Sequence, residues 1–133
     1  MTLDGLSGSY AICRLSADTP VPAWVSRAAF SSTTRTRDEL SIVCASEDVP
    51  LDVQAQRGYR GLVVRGPLDF NVVGILASLA GPLATASVSI FAVSTFDTDY
   101  LFVRESDFDR AVAALRNSGH IVSTGLHPQI EDR

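Results

Sequence analysis

Apolar residues Phe108, Ala111, Val112 and Leu115 recur at i, i+3, i+4 and i+7, the spacing that lays one stripe along a helix. It predicts a helix over 106–117. Ser106 with Asp109 three residues later forms a variant of the capping box, Asp107 places negative charge at the positive end of the dipole, and Gly119 stands where a left-handed C-terminal cap is wanted. Upstream, Val72, Ile75 or Leu76, Leu79 and Leu83 fall on one helical face, which predicts a second helix over about 70–86. Pro82 interrupts it. Its ring removes the bond its amide would have given to the Ser78 carbonyl, so a kink or an early end near Gly81 is expected.

Between these helices VSIFAVSTFDTDYLFVRES is rich in β-branched and aromatic residues and is broken once by Asp97, Thr98 and Asp99, which reads as a hairpin. YRGLVVR (59–65) and HIVS (120–123) read as strands. The C-terminal half is therefore β-α-β-β-α-β, a ferredoxin-like unit. The N-terminal half echoes it weakly: a strand at 10–15, a short helical turn limited by Pro20 and Pro22, and a hairpin in AAFSSTTRTRDELSIVCA. At a shift of 61, Phe30 matches Phe91, Thr34 matches Thr95, Asp38 matches Asp99, Leu40 matches Leu101, and Ile42 faces Val103, which argues for an internal duplication. The expected organisation is α+β, with two ferredoxin-like halves in tandem: a degenerate first half at 1–58 and a complete second half at 59–133. Antiparallel sheets carry helices on one face.

Composition narrows the function classes. With 133 residues, 46% hydrophobic and 20% charged, the chain has enough apolar mass for a core and too much to stay disordered. A net charge of −4 and no Lys/Arg cluster give no electrostatic reason to contact nucleic acid or anionic membrane. No basic-then-apolar leader is seen, and no stretch approaches the roughly 18 apolar residues of a membrane span, so a cytoplasmic protein is expected. Cys13 and Cys44 sit in apolar segments without metal-ligand spacing and read as reduced core residues.

Catalytic constellations are scarce. His120 and His127 stand beside no nucleophile motif, and Asp97-Thr98-Asp99 lacks the alternating oxygen ligands of a calcium loop. That acidic trio reads equally as a hairpin turn or as a ligand contact. The junction RGPLDFNVVG is more informative, because a strand end passing into a helix start presents free amides and partial positive charge, suited to a carboxylate. Asp69 or Asn71 is either the N-cap or a ligand contact. Gly74, expected in an early helical turn, suggests close approach of a ligand or of another backbone.

The glycine followed by Ile75 and Leu76, the strand IFAVST, the acidic hairpin and DYLFV together resemble ACT domains. More closely it resembles the paired ACT-like modules of small bacterial proteins, of aspartate kinase regulatory tails and of the animal cytosolic arginine sensor. It is strongest over 59–122. It implies that an amino acid binds where the first helix meets a neighbouring unit. Carried onto this chain, the site is Asp69, Phe70, Asn71, Val72, Val73, Gly74 and Ile75 with Ser94, Thr95, Phe96, Asp97 and Thr98. Where many ACT domains have Asp-Arg-Pro-Gly, Asp69 stands five residues before Gly74 with no Arg or Pro between.

The expectation is a regulatory module binding an amino acid or similar metabolite, a homodimer, with no catalysis, no cofactor and no metal. The alternative is a dimerisation module without a small-molecule ligand.

Overall fold

The computed structural model describes residues 1–27, 30–69 and 71–125. In chain order the strands and helices are β1 (Thr2–Gly5), β2 (Tyr10–Leu15), β3 (Ser32–Arg35), β4 (Leu40–Ala45), β5 (Ala55–Val64), α1 (Ile75–Thr85), β6 (Phe91–Ser94), β7 (Asp99–Arg104), α2 (Phe108–Asn117) and β8 (Ile121–Ser123). Two compact units result: Gly8–Tyr59, and Met1–Ser7 together with Arg60–Arg133. The boundary expected at 58/59 thus falls inside β5. The first seven residues group with the C-terminal unit, because Leu3 pairs with Val64 across an antiparallel register and with Val122 across a parallel one.

In the unit 8–59, β3, β4, β2 and the start of β5 lie in that order. Tyr10 faces Ala45 and Leu15 faces Leu40, and the two-residue alternation sends Ala11, Cys13, Leu40, Ile42 and Cys44 to one buried face. Among the described residues no α-helix covers that face. Pro20 and Pro22 precede a single 3-10 turn, Ala23–Arg27, whose Val25 is buried in the same cluster. The neighbouring Cys13 thiol and burial hold the Cys44 thiol far above the usual thiol range.

The other unit is a ferredoxin-like assembly. Its strand order is β6-β7-β5-β1-β8, so the expected β-α-β-β-α-β run is present and β1 is inserted between its first and last strands. Leu62 and Val64 of β5, Leu101 and Val103 of β7, Leu3 of β1 and Val122 of β8 point into one core. Leu79 and Leu83 of α1 and Phe108, Ala111, Val112 and Leu115 of α2 close it from the helix side. The stripe expected on α2 is the buried face observed. Each large apolar side chain among them contributes about 1.5–3 kcal/mol by leaving water.

Three local expectations change. A 3-10 turn at Glu105–Asp107 precedes α2 and takes Ser106 into its interior, so Asp107 occupies the N-cap and no side chain caps the helix. The first long helix begins at Ile75, with Gly74 as its N-cap, so neither Asp69 nor Asn71 caps it. Pro82 stays inside α1, which runs on to Thr85. Helix α2 does end as expected: Gly119 has φ 95°, its N–H reaches the Arg116 carbonyl at 3.0 Å, and the His120 N–H reaches the Leu115 carbonyl at 3.1 Å. That is a Schellman cap.

Candidate functional site

The site is built where β5 ends and α1 begins. Leu68 donates its N–H to the Asp97 carbonyl at 2.7 Å, and the Thr98 hydroxyl donates to the Val64 carbonyl, so loop and hairpin are stitched together. Gly66 permits this closeness: a Cβ there would lie 3.0 Å from the Leu68 nitrogen and 3.1 Å from the Asp97 oxygen. Asp69 then folds the loop, its Oδ1 accepting the Asn71 N–H at 3.0 Å and its carbonyl accepting the Val72 N–H at 3.0 Å.

Gly74 turns the chain into α1 with φ 86° and ψ 4°, a left-handed conformation natural to glycine. A Cβ added there meets nothing within 4 Å. The glycine supplies this conformation, and no described residue of the chain approaches it closely. The first helical bond is Ser78 N–H to the Gly74 carbonyl at 2.9 Å, and no side chain caps the helix. Among the described residues no side chain takes the amides of the first turn, at the positive end of the dipole.

Opposite lies the turn from β6 into β7. Thr95 donates its N–H to the Thr98 carbonyl at 2.8 Å, its hydroxyl accepts the Thr98 N–H at 3.2 Å, and the Ser94 hydroxyl donates to Asp99 Oδ1 at 2.6 Å. Loop, helix start and turn enclose a cleft of about 280 Å³. It is lined by Leu68, Asp69, Val72, Gly74, Ile75, Leu76, Ser94, Thr95, Phe96, Thr98 and Asp99. Among the described residues two carboxylates line it and no Lys or Arg does. Neither Asp69 nor Asp99 is in an ion pair among the described residues. The cleft therefore offers N–H groups to an anion and carboxylates to a cation.

Most of the expected residues converge here. Asp69, Val72, Gly74, Ile75, Ser94, Thr95, Phe96 and Thr98 share the cleft. Asp97 does not; it lines a second cavity with Thr95 and Thr98 as common wall. Asn71 and Val73 line neither, and Phe70 lies outside the described residues, as does His127. Leu68, Leu76 and Asp99 were not expected. Asp99 carried a signal, standing two residues beyond Asp97 on the same acidic hairpin.

The ACT domain family model matches residues 54–117, the span that contains this cleft. The crystal structure of protein Atu0741 from Agobacterium tumefaciens is 44% identical, covers 95% of this chain and 94% of that one, and superposes with a TM-score of 0.90. The chain belongs to the ACT domain family. A second family model, of an N-terminal domain, matches residues 8–52, the smaller unit of this ACT protein. The cytosolic arginine sensor for mTORC1 subunit 1 of Bos taurus is 40% identical over 50 residues, 38% of this chain and 15% of the sensor, so the chain matches only a small part of that relative's length. The ligand-free regulatory subunit of aspartate kinase from Thermus thermophilus has a TM-score of 0.60 at 8% identity, over 86% of this chain and 94% of that one, a likeness of fold.

Among the described residues no helix is long and apolar enough to cross a membrane, and no group of three His, Cys, Asp or Glu side chains is placed to hold a metal.

Proposed function

We propose that this ACT protein is a non-catalytic regulatory module that binds a free amino acid in the cleft between the start of α1 and the β6–β7 turn. The observation that carries the reading is one small cleft combining an uncapped helix N-terminus with two carboxylates that have no counter-ion among the described residues. The α-carboxylate of the ligand meets the first-turn amides and its α-ammonium meets Asp99 or Asp69. Because the lining carries a net charge of one sign, a second positive group on the ligand is favoured over a second negative one. A cationic amino acid is the best match, and the partial likeness to an arginine sensor supports it. The proposal includes two tandem ACT-type halves, a cytoplasmic location, no cofactor, and no nucleic-acid or membrane partner.

Thermal denaturation across the amino acids tests this. A ligand at 100 times its dissociation constant adds about 2.7 kcal/mol of stability. Arginine or lysine is expected to raise the midpoint most, and Asp69→Asn and Asp99→Asn each to weaken binding by about 1–3 kcal/mol. If no amino acid changes the midpoint, the cleft is not an amino-acid site. The reading as a dimerisation module without ligand has one observation in its favour: Val73 and Phe96, at the edge of this region, are 92% and 79% exposed. A homodimer that covers them is part of both readings, and sedimentation of a strict monomer at high micromolar concentration excludes it.

A further inference from the structure

A second cavity, of about 520 Å³, lies beyond the wall formed by Thr95 and Thr98. Its floor comes from strand pairing. Asp4 faces Val63 in the β1–β5 register, and the alternation along each strand puts Asp4, Val63 and Arg65 on the face away from the core residues Leu3, Leu62 and Val64. Arg65 and Asp4 are diagonal neighbours there, joined by two hydrogen bonds, Nε to Oδ2 at 3.0 Å and Nη2 to Oδ1 at 2.6 Å. Asp4 is only 16% exposed at its side chain and Arg65 is 56% exposed, so the pair presents the guanidinium outward. Pairing through Nε and Nη2 leaves Nη1 with no hydrogen bond among the described residues, on a fork held rigid by the partner carboxylate. Asp97 enters the same cavity from the hairpin turn, and its carboxylate is in no ion pair among the described residues. Pro67 and Tyr100 add apolar wall.

We infer that this cavity is a second small-molecule site, separate from the α1 cleft, which takes a zwitterion whose carboxylate meets Arg65 Nη1 and whose ammonium meets Asp97. A fixed guanidinium edge and an unpaired carboxylate in one cavity present both signs, which neither a simple cation nor a simple anion uses fully. The volume lies within the range of small-ligand pockets, roughly 300–1,000 Å³. The site does not depend on the amino-acid reading of the α1 cleft, since apart from Thr95 and Thr98 the linings are different.

The test is a titration of the isotopically labelled full chain followed by NMR, using glycine, β-alanine and γ-aminobutyrate as zwitterions of increasing length, with choline and acetate as single-charge probes. The expected result is saturable shifts at the Arg65 side chain, Gly66 and Tyr100 with at least one zwitterion, at concentrations where choline and acetate give none. Asp97→Asn and Arg65→Met are each expected to raise the dissociation constant at least tenfold, while Asp109→Asn, on α2 and outside both cavities, leaves it unchanged. Shifts confined to Ile75, Leu76 and Phe96 place the zwitterion in the α1 cleft and overturn the inference without touching the proposed function. Equal shifts with choline, or none with any zwitterion up to tens of millimolar, overturn it as well.

Discussion

Pro82 and His120 are expected to be energetically coupled. In a regular helix the Ser78 carbonyl would accept from the amide of residue 82, but Pro82 has no N–H to give. His120 Nε2 lies 3.2 Å from that carbonyl oxygen. A carbonyl only accepts, so Nε2 carries the proton and donates. The imidazole reaches this point because the Schellman cap at Gly119 directs the chain from α2 back towards α1. The helix tolerates its proline partly because a side chain from a neighbouring element replaces the missing donor.

The magnitude follows from the two alternatives. Removing the imidazole in His120→Ala strands a partly exposed carbonyl and is expected to cost about 0.5–1.5 kcal/mol. Pro82→Ala restores an amide donor and relieves a helix-interior proline worth about 3 kcal/mol, offset by about 0.4–1 kcal/mol of extra unfolded-chain entropy. In the Pro82→Ala background, where the backbone itself supplies the N–H, His120→Ala is expected to lose about 1 kcal/mol less than it does beside Pro82. Urea unfolding of the four proteins in the cycle reads this as a midpoint difference of about 0.5 M, for a slope of about 2 kcal/mol/M. If His120→Ala costs the same in both backgrounds to within about 0.3 kcal/mol, the two residues are independent and the reasoning fails.

Gly119→Ala and Gly74→Ala place a Cβ at φ 95° and 86°, where the surroundings are open, so each is expected to destabilise by about 1 kcal/mol through backbone strain alone, measured by the same denaturation. Ser106→Ala is expected to change stability by less than about 0.5 kcal/mol, since its hydroxyl caps no helix; a loss above about 1 kcal/mol would restore it as a cap. Cys13 and Cys44, 1% and 0% exposed, are expected to resist thiol labelling in the folded chain and to react in denaturant; fast labelling of the native protein would contradict their burial.

What the sequence made legible follows from how local the information is. The α2 stripe, the β6–β7 hairpin and the Gly119 cap each depend on residues within a few positions of one another, and all three are present. Strand β1 was not expected because TLDG carries one core residue, Leu3, and too few positions to show alternation; its place is set by partners at Val64 and Val122. The Asp4–Arg65 pair was hidden for the same reason. Gly74 stands out in the sequence but its left-handed conformation does not, because sequence reveals that a glycine is unusual without revealing the sign of φ. Asp97 and Asp99 illustrate the alternation: two residues apart, they look equivalent on the page, but one lies in the turn and the other opens a strand, and they line different cavities.

The two hairpins agree, but at a different offset from the one the residue matches suggested. Thr36 and Thr95 occupy the same turn position, 59 residues apart: each N–H donates to the carbonyl three residues on at 2.8 Å, and each hydroxyl accepts the N–H of that same residue, at 3.1 and 3.2 Å. At this offset Ile42, Val43 and Cys44 match Leu101, Phe102 and Val103, all buried, and the 3-10 turn Ser46–Asp48 matches Glu105–Asp107. The shift of 61 aligned similar letters two residues out of structural register. At the next position the two segments part. Phe108 is right-handed helical, with φ −60° and ψ −47°, and opens α2, whereas its counterpart Val49 is extended, with φ −90° and ψ 120°. Pro50 follows Val49, and a residue before proline is driven out of the helical region. In place of a helix, Arg57 reaches across to the carbonyls of Ser46, Val49 and Pro50. Prolines thus act on the smaller unit twice, Pro20 and Pro22 before its 3-10 turn and Pro50 after its hairpin, and among the described residues it has no long helix whose N-terminus could face its acidic turn. A cleft pairing helix amides with hairpin carboxylates therefore occurs, among the described residues, only in the C-terminal unit.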